Sequence, residues 1–407
     1  MTQVLYSIST LLISVFIILV GHGLQLTIAP LYASQLGWSN STISYLGSAY
    51  YLGFALGCLT IPKLVAKVGH IRVFSVMAGA ATGALLTLSL VDNVSIWISA
   101  RLITGWTLAG LYMVIESWLN ERATPENRGL VLSIYSALTL GAICIGQIMI
   151  GFPFNYLQLI ALAAILLAVG AIPVGLTQSP APKPIPSISF NFKGVYKASH
   201  VAVVGVFLVG LVTSGIWALG PIIAQSQGLD QHQIGYFMAI TVIGGAICQL
   251  PLGRMSDRRD RRQVIVVAAF AGAIVAQLAI LYSGINAIVL FTLMFIFGGM
   301  TLPLYSILLA HANDNTELPL MQVGSVILLC HSVGAVIGPL LLSLFIGYSP
   351  LAMFYFAETV LLILAGWTWW RIHSHRADAK HFEPFVDLPR TTQGAIEAYD
   401  ELEHPNT

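Results

Sequence analysis

The chain has 407 residues, 57% of them hydrophobic and only 9% charged, with a formal net charge of +1 and a mean hydropathy of +0.83. Soluble domains carry about 25% charged residues, so this chain has too little polar surface for water, and a soluble enzyme or binding module is excluded. Basic residues are too few and too scattered to form a nucleic-acid-binding face.

A helix of about 20 mostly apolar residues crosses a bilayer, and the hydrophobic content suffices for about eleven or twelve crossings. Apolar runs separated by polar breaks predict twelve spans, over 6–34, 41–66, 71–91, 95–119, 127–151, 154–176, 200–225, 231–255, 263–283, 286–311, 318–346 and 349–372. Runs such as 161–170 do not alternate, which argues against a β-barrel. The N-terminal run lacks a basic n-region and a small-residue cleavage site, so it is expected to remain as span 1. Cys58, Cys144, Cys248 and Cys330 each stand alone in apolar surroundings, without metal-ligand spacing. They are expected to pack as small hydrophobes.

Lysine and arginine mark the cytoplasmic side. The connections after spans 2, 4, 6 and 8, together with the C-terminal tail, carry 17 of the 18 basic residues. Arg101, inside span 4, is the remaining one. Both termini are therefore expected in the cytoplasm. The widest interior break holds alternating prolines, which disfavour helix, and then Phe190, Phe192 and Tyr196 beside lysines, which suit a membrane surface. The expected organisation is an N-terminal six-helix bundle over 1–177, a cytoplasmic linker over 178–199, a C-terminal six-helix bundle over 200–373 and a tail over 374–407. From Arg376 the tail carries seven acidic and three basic residues, and it reads as a solvated segment despite His373, His375 and His381 nearby.

The two halves repeat. At an offset of 191, Pro30 aligns with Pro221, Ala33 with Ala224, Gly37 with Gly228, Ile43 with Ile234, Tyr45 with Tyr236 and Gly53 with Gly244. At an offset of 193, Gly105 aligns with Gly298, Tyr112 with Tyr305 and Asn120 with Asn313. Parallel repeats of this kind make two pseudo-symmetric six-helix bundles with a substrate site between them, near the midplane.

The connection after span 8 reads Gly253-Arg-Met-Ser-Asp257-Arg258-Arg-Asp-Arg261-Arg262. It resembles the signature loop of the major facilitator superfamily, G-x-L-x-D-R-x-G-R-R, with Asp260 in place of the second glycine. After span 2 the same frame is eroded to Pro62-Lys-Leu-Val-Ala66-Lys67-Val-Gly69-His70-Ile-Arg72, without the aspartate. Arg101-Leu-Ile-Thr-Gly105, Pro125-Glu-Asn-Arg128-Gly129 and Gly334-x-x-x-Gly338-Pro339 are also similar to family patterns. Span 5 departs from the antiporter pattern, with Gly146-Gln147 where a glycine-proline element is usual. Within the family, Glu116-Ser-Trp-Leu-Asn120 and Trp217-Ala-Leu-Gly-Pro221 resemble the small bacterial YcaD-type transporters. The resemblance implies a multi-pass protein of the bacterial inner membrane that transports a small molecule, as a monomer and without a cofactor.

Charge inside hydrocarbon is costly, so each buried ionisable group demands a reason. Arg101 reads as a cavity group that binds an anion or biases a proton site, or else as an arginine held by backbone carbonyls. Glu116 lies 15 residues further along span 4, about 22 Å at 1.5 Å per residue, so the two cannot pair directly. It is a candidate proton carrier, or the partner of Lys67 or Arg72. Glu358 on span 12 has no evident partner. His22 and Gln25, three residues apart, share one helix face and are candidates for the cavity wall, with interhelical hydrogen bonding as the other reading. Tyr112 is placed on the same stripe of span 4 as Arg101, and Thr213, Ser214 and Trp217 lie on the matching helix of the second half. His331 reads as a packing histidine that could titrate near neutral pH. Proton coupling is expected through Glu116 or His22. Asp257, Arg258, Arg261 and Arg262, with Arg128 at the start of span 5, form an expected cytoplasmic gate in which Asp257 faces that helix terminus. No P-loop appears, so secondary transport by alternating access is the expected mechanism. A transporter-like sensor that does not cycle is the competing class, and no nucleophile–base or metal cluster suggests an enzyme.

Overall fold

The computed structural model describes residues 2–122, 128–176, 191–282 and 286–374. Twelve helices within it are long and apolar enough to cross a membrane. They are α1 (Thr2–Gln35), α2 (Asn40–Val68), α3 (His70–Leu90), α4 (Val94–Arg122), α5 (Arg128–Ile148) and α6 (Tyr156–Gly170), then α7 (His200–Ser226), α8 (Gln231–Arg258), α9 (Arg261–Tyr282), α10 (Ala287–Asp314), α11 (Leu320–Ile346) and α12 (Ala352–Ser374). No strand occurs among the described residues.

Polar residues at the predicted breaks start these helices by accepting otherwise unpaired backbone N–H groups. Ser39 caps α2, and Asn155 and Asp230 form capping boxes with Gln158 and Gln233 at the starts of α6 and α8. Apolar side chains such as Val76, Ile247 and Leu344 stay exposed around the outside, as a lipid-facing belt requires.

The helices form two bundles, α1–α6 and α7–α12, and the repeat is visible in their packing. Gly37 and Gly228 both turn the chain with positive φ, at 77° and 80°, where only glycine is free of steric cost. Gly53 and Gly105 let α2 and α4 meet so closely that a Cβ on either would strike the carbonyl oxygen of Leu102 or of Tyr50. Gly244 and Gly298 repeat this between α8 and α10, against the carbonyls of Phe295 and Thr241. Small residues are what allow such approach inside a membrane.

Two elements differ from expectation. Span 10 is interrupted, since its helix stops at Thr301 and restarts at Leu304. Pro303 sits at the break and removes a backbone donor there. The linker holds a short helix, Phe192–Ala198, capped by Asn191. The helix-breaking prolines end at Pro186, which leaves this stretch free to coil. Phe192 and Tyr196 stack at 5.9 Å on its exposed side.

Candidate functional site

A cavity of about 230 Å³ lies between the bundles. The N-terminal bundle lines it with His22 and Leu26 from α1, Tyr50, Tyr51 and Phe54 from α2, Tyr112 from α4, and Ser136, Thr139, Leu140 and Ile143 from α5. Opposite stand Thr213 and Trp217 from α7, Val242, Gly245, Ala246 and Gln249 from α8, Leu302 and Ser306 from α10, and Leu328, His331, Ser332 and Ala335 from α11. No Asp, Glu, Lys or Arg is among these lining residues. Five aromatic rings and a few hydroxyl, amide and imidazole groups make the wall, a surface suited to a flat, partly polar molecule.

Behind this wall runs a buried polar chain. Arg101, on α4, donates from Nη1 to Gln25 Oε1 at 2.5 Å, and Gln25 Nε2 meets His22 Nδ1 at 3.0 Å. His22 Nε2 in turn lies 3.5 Å from the Tyr50 hydroxyl. The Arg101 guanidinium also sits over the Tyr50 ring, 4.7 Å from its centroid, a cation–π contact worth about 0.5–2 kcal/mol. Gln25 is wholly buried and Arg101 nearly so, and no carboxylate is among the described partners of Arg101.

Of the five residues expected on the cavity wall, the structure therefore places His22, Tyr112 and Trp217 there. Gln25 is absent from the wall, and Arg101 borders only a minor crevice that it shares with Tyr51, Pro30 and Trp217. Both stand one layer back because the α1 stripe carrying His22 and Gln25 turns Gln25 toward α4. His331, read as a packing residue, lines the cavity, with Tyr305 edge-on at 5.1 Å and Thr213 Oγ1 at 3.4 Å. Tyr112 and Tyr305, partners in the repeat, thus each carry a histidine on an edge, His22 on one side and His331 on the other. The α2 aromatics Tyr50, Tyr51 and Phe54 were missed, since a cavity wall and a lipid-facing stripe use the same residue types.

Glu116 lies one turn beyond Tyr112 toward the C-terminal end of α4, buried, and accepts a hydrogen bond from the Tyr135 hydroxyl at 3.1 Å. Glu358 finds its partner across α9 and α12, where the Gln277 amide nitrogen, turned toward it, reaches both carboxylate oxygens at 2.9 Å.

Among the described residues, several contacts join the bundles on the side of the basic-poor connections, and Leu328 of α11 packs on Cys58 and Ala109 nearer the other side. Gln231 Nε2 donates to Ile150 O at 2.6 Å and reaches Phe152 O and Phe154 O at 3.4 and 3.3 Å. Gly235 packs on Gln147 O, and Gly47 packs on Ala218 and Pro339. Gln147, which stands in place of the antiporter proline, fastens α5 to α1 by accepting from Thr27 Oγ1 and donating to Gly23 O.

At the opposite end, Asp257 Oδ1 accepts from Arg261 Nη1 at 3.1 Å, and buried Arg261 also donates from Nε to Asp314 Oδ2 at 2.5 Å. Arg262 folds back onto Asp260 at 2.7 Å. The described part of the signature loop is thus a clamp between α8, α9 and the end of α10. Of the expected gate, Arg258 ends α8 and enters none of the ion pairs described here. The side chain of Arg128 lies outside the described residues. Burial raises the Asp260 carboxyl, but the hydrogen bonds and charge of Arg262 outweigh it and hold the group below the usual carboxylate range.

Comparison with known proteins follows the same architecture. A family model described as Major Facilitator Superfamily matches residues 11–198 and 202–399. The chain is similar to the "Uncharacterized MFS-type transporter YcaD" of Salmonella newport (strain SL254), 25% identical over 344 residues that span 83% of this chain and 86% of that protein. The YcaD of Salmonella enteritidis PT4 (strain P125109) matches with the same identity and coverage. Among solved structures, a mutant of the nucleoside transporter NupG superposes with a TM-score of 0.74 at 14% identity, covering 90% of this chain and 98% of that one. A bacterial homolog of the human lysosomal transporter Spinster, inward-facing and occupied, gives 0.70 at 12% identity, covering 91% and 97%. At such identities these structures speak to the fold alone.

Proposed function

We propose that this chain, which belongs to the Major Facilitator Superfamily and is a multi-pass membrane transporter of the YcaD type, moves a small molecule by alternating access through the cavity between its bundles. The observation that carries this reading is a single cavity walled by four helices of each bundle, since a rocking motion of one bundle against the other exposes such a site to each side in turn. In this reading both termini lie in the cytoplasm of a bacterial inner membrane, the side that the basic-rich connections mark.

Protons are the coupling ion in this reading, and Glu116 is their carrier. It is a buried carboxylate one turn from the cavity residue Tyr112, and its bond from Tyr135 would weaken when Glu116 takes up a proton. The substrate has a flat ring to lie against Tyr50, Phe54, Tyr112 and Trp217, and carries no strong positive charge. Nucleosides, named as the cargo of the structurally similar NupG, have a ring and acceptor oxygens and head the ligands to test.

The test uses purified protein in proteoliposomes loaded with a pH-sensitive dye and offered a panel of nucleosides, aromatic carboxylates and aromatic amines. Ligand-driven proton movement, abolished by a protonophore, supports the reading. Flux indifferent to the pH gradient refutes the coupling, and binding without flux refutes transport in favour of a sensor.

A further inference from the structure

We infer that Arg101 and Gln25 act on the transported molecule without touching it, by fixing the His22 tautomer with its proton on Nε2, which biases the His22–Tyr50 edge of the cavity toward donating hydrogen bonds. The argument is one of donor and acceptor inventory. A guanidinium has donors and no acceptor, so the Gln25 atom facing Arg101 Nη1 must be its oxygen. The other end of the same amide is then an NH2 group, which can only donate, and it faces His22 Nδ1 at 3.0 Å. Nδ1 must therefore keep its lone pair, which puts the ring proton on Nε2. That N–H points toward the Tyr50 oxygen, and both residues line the cavity. Tyr50 Oη accepts from that side, so its own proton is directed away from His22.

Each link thus passes polarity in one direction, from a buried cation to the cavity wall. The C-terminal bundle has nothing like it, because the repeat puts Met294, Ile216 and Thr213 where Arg101, Gln25 and His22 stand. The donor face is one-sided, and it selects a ligand whose carbonyl, carboxylate or phosphoryl oxygen turns toward α1 and α2. An ammonium group there would meet N–H and O–H dipoles with Arg101 behind them. The relay also removes His22 as the proton carrier, since a proton on Nδ1 would abut the Gln25 NH2 group. Arg101 and Gln25 are positioning residues in this scheme. Its ligand class rests on the cavity being the transport site, whereas the tautomer does not.

The experiment is nitrogen NMR of the full-length protein in nanodiscs, with ¹⁵N-labelled histidine and His22 assigned by difference against His22→Gln. The expected spectrum shows His22 Nδ1 without a proton and Nε2 with one. In Gln25→Glu, a carboxylate accepts from both neighbours, so the proton moves to Nδ1 and the spectrum inverts. Panel ligands that bind through an acceptor oxygen then lose roughly tenfold in affinity, the worth of one hydrogen bond to the wall. A protonated Nδ1 in the native protein overturns the inference, whether or not Gln25→Glu folds, and so does an unchanged tautomer in Gln25→Glu. A native cavity that binds only the amines of the panel overturns the ligand class. These results are independent of flux, so failure of the relay and failure of transport are read separately.

Discussion

Arg261→Ala is expected to be the most damaging single change at the α8–α9 end of the C-terminal bundle. The Arg261 side chain is 1% exposed and that of its partner Asp314 is 4% exposed. Nε and Nη2 both reach the Asp314 carboxylate, and Nη1 is shared between Ser256 Oγ at 2.9 Å and Asp257 Oδ1 at 3.1 Å. Removal of the guanidinium strands a buried carboxylate, and breaking such a pair costs about 3–5 kcal/mol. Asp257 is 30% exposed, so water screens its share, and losing that contact costs about 0.3–1 kcal/mol. Units of 150–250 residues shift by about 2–4 °C in Tm per kcal/mol. Arg261→Ala should then lower Tm by roughly 6–20 °C, with loss of the Arg261–Asp257 contact by itself accounting for no more than about 4 °C. The assay is tryptophan-fluorescence melting of the purified protein in detergent at one fixed scan rate, because unfolding of such proteins is often irreversible. If Arg261→Ala lowered Tm by no more than about 4 °C, the reasoning that places the stabilisation in the buried Asp314 pair would be refuted.

Three further outcomes can be checked. Gly53→Ala should cost about 1–3 kcal/mol by forcing α2 off α4, whereas Gly79→Ala, with no neighbour near its added Cβ, should leave Tm unchanged or raise it; equal effects would discount the close approach. Glu116→Gln should abolish proton-driven accumulation yet preserve ligand exchange across proteoliposomes, and persistent accumulation would remove Glu116 from the coupling scheme. Asp260, whose carboxyl Arg262 holds below its usual range, stabilises the fold at pH values above the unfolded carboxylate pKa, and that contribution is lost as pH falls through the lower folded value. The acid-side decline in Tm should therefore be shallower in Asp260→Asn, and identical pH profiles would contradict the assignment.

Much of this fold can be read in the amino acids, because a bilayer leaves few alternatives to helices of a given length. The paired glycines Gly53 and Gly244, and Gly105 and Gly298, announce the repeat, and the structure shows why they recur, at two equivalent helix crossings. The break at Leu302–Pro303 was less legible, since hydropathy is blind to a missing backbone donor inside an apolar run. Arg101 could be singled out as a buried charge from its sequence position. Its place behind Gln25 could not, because helix periodicity gives a direction but not the depth of a side chain between two neighbours. Tyr50, Tyr51 and Phe54 were hidden for a different reason: aromatic residues serve lipid contact and cavity walls alike, and only tertiary packing separates the two.

The central claim is that the two bundles alternate around the cavity, and paired spin-label distances test it most directly. With the four native cysteines replaced by serine, labels go at exposed Gln35 and Ser226, at the C-terminal ends of α1 and α7, and at exposed Lys67 and Glu317, beside the C-terminal end of α2 and the start of α11. Distances are recorded in nanodiscs at acidic and alkaline pH, with and without a ligand that the panel identifies. The account predicts opposite changes, the Gln35–Ser226 pair separating under the conditions that bring the Lys67–Glu317 pair together. Two distances that stay fixed under every condition, with ligand bound, would contradict it.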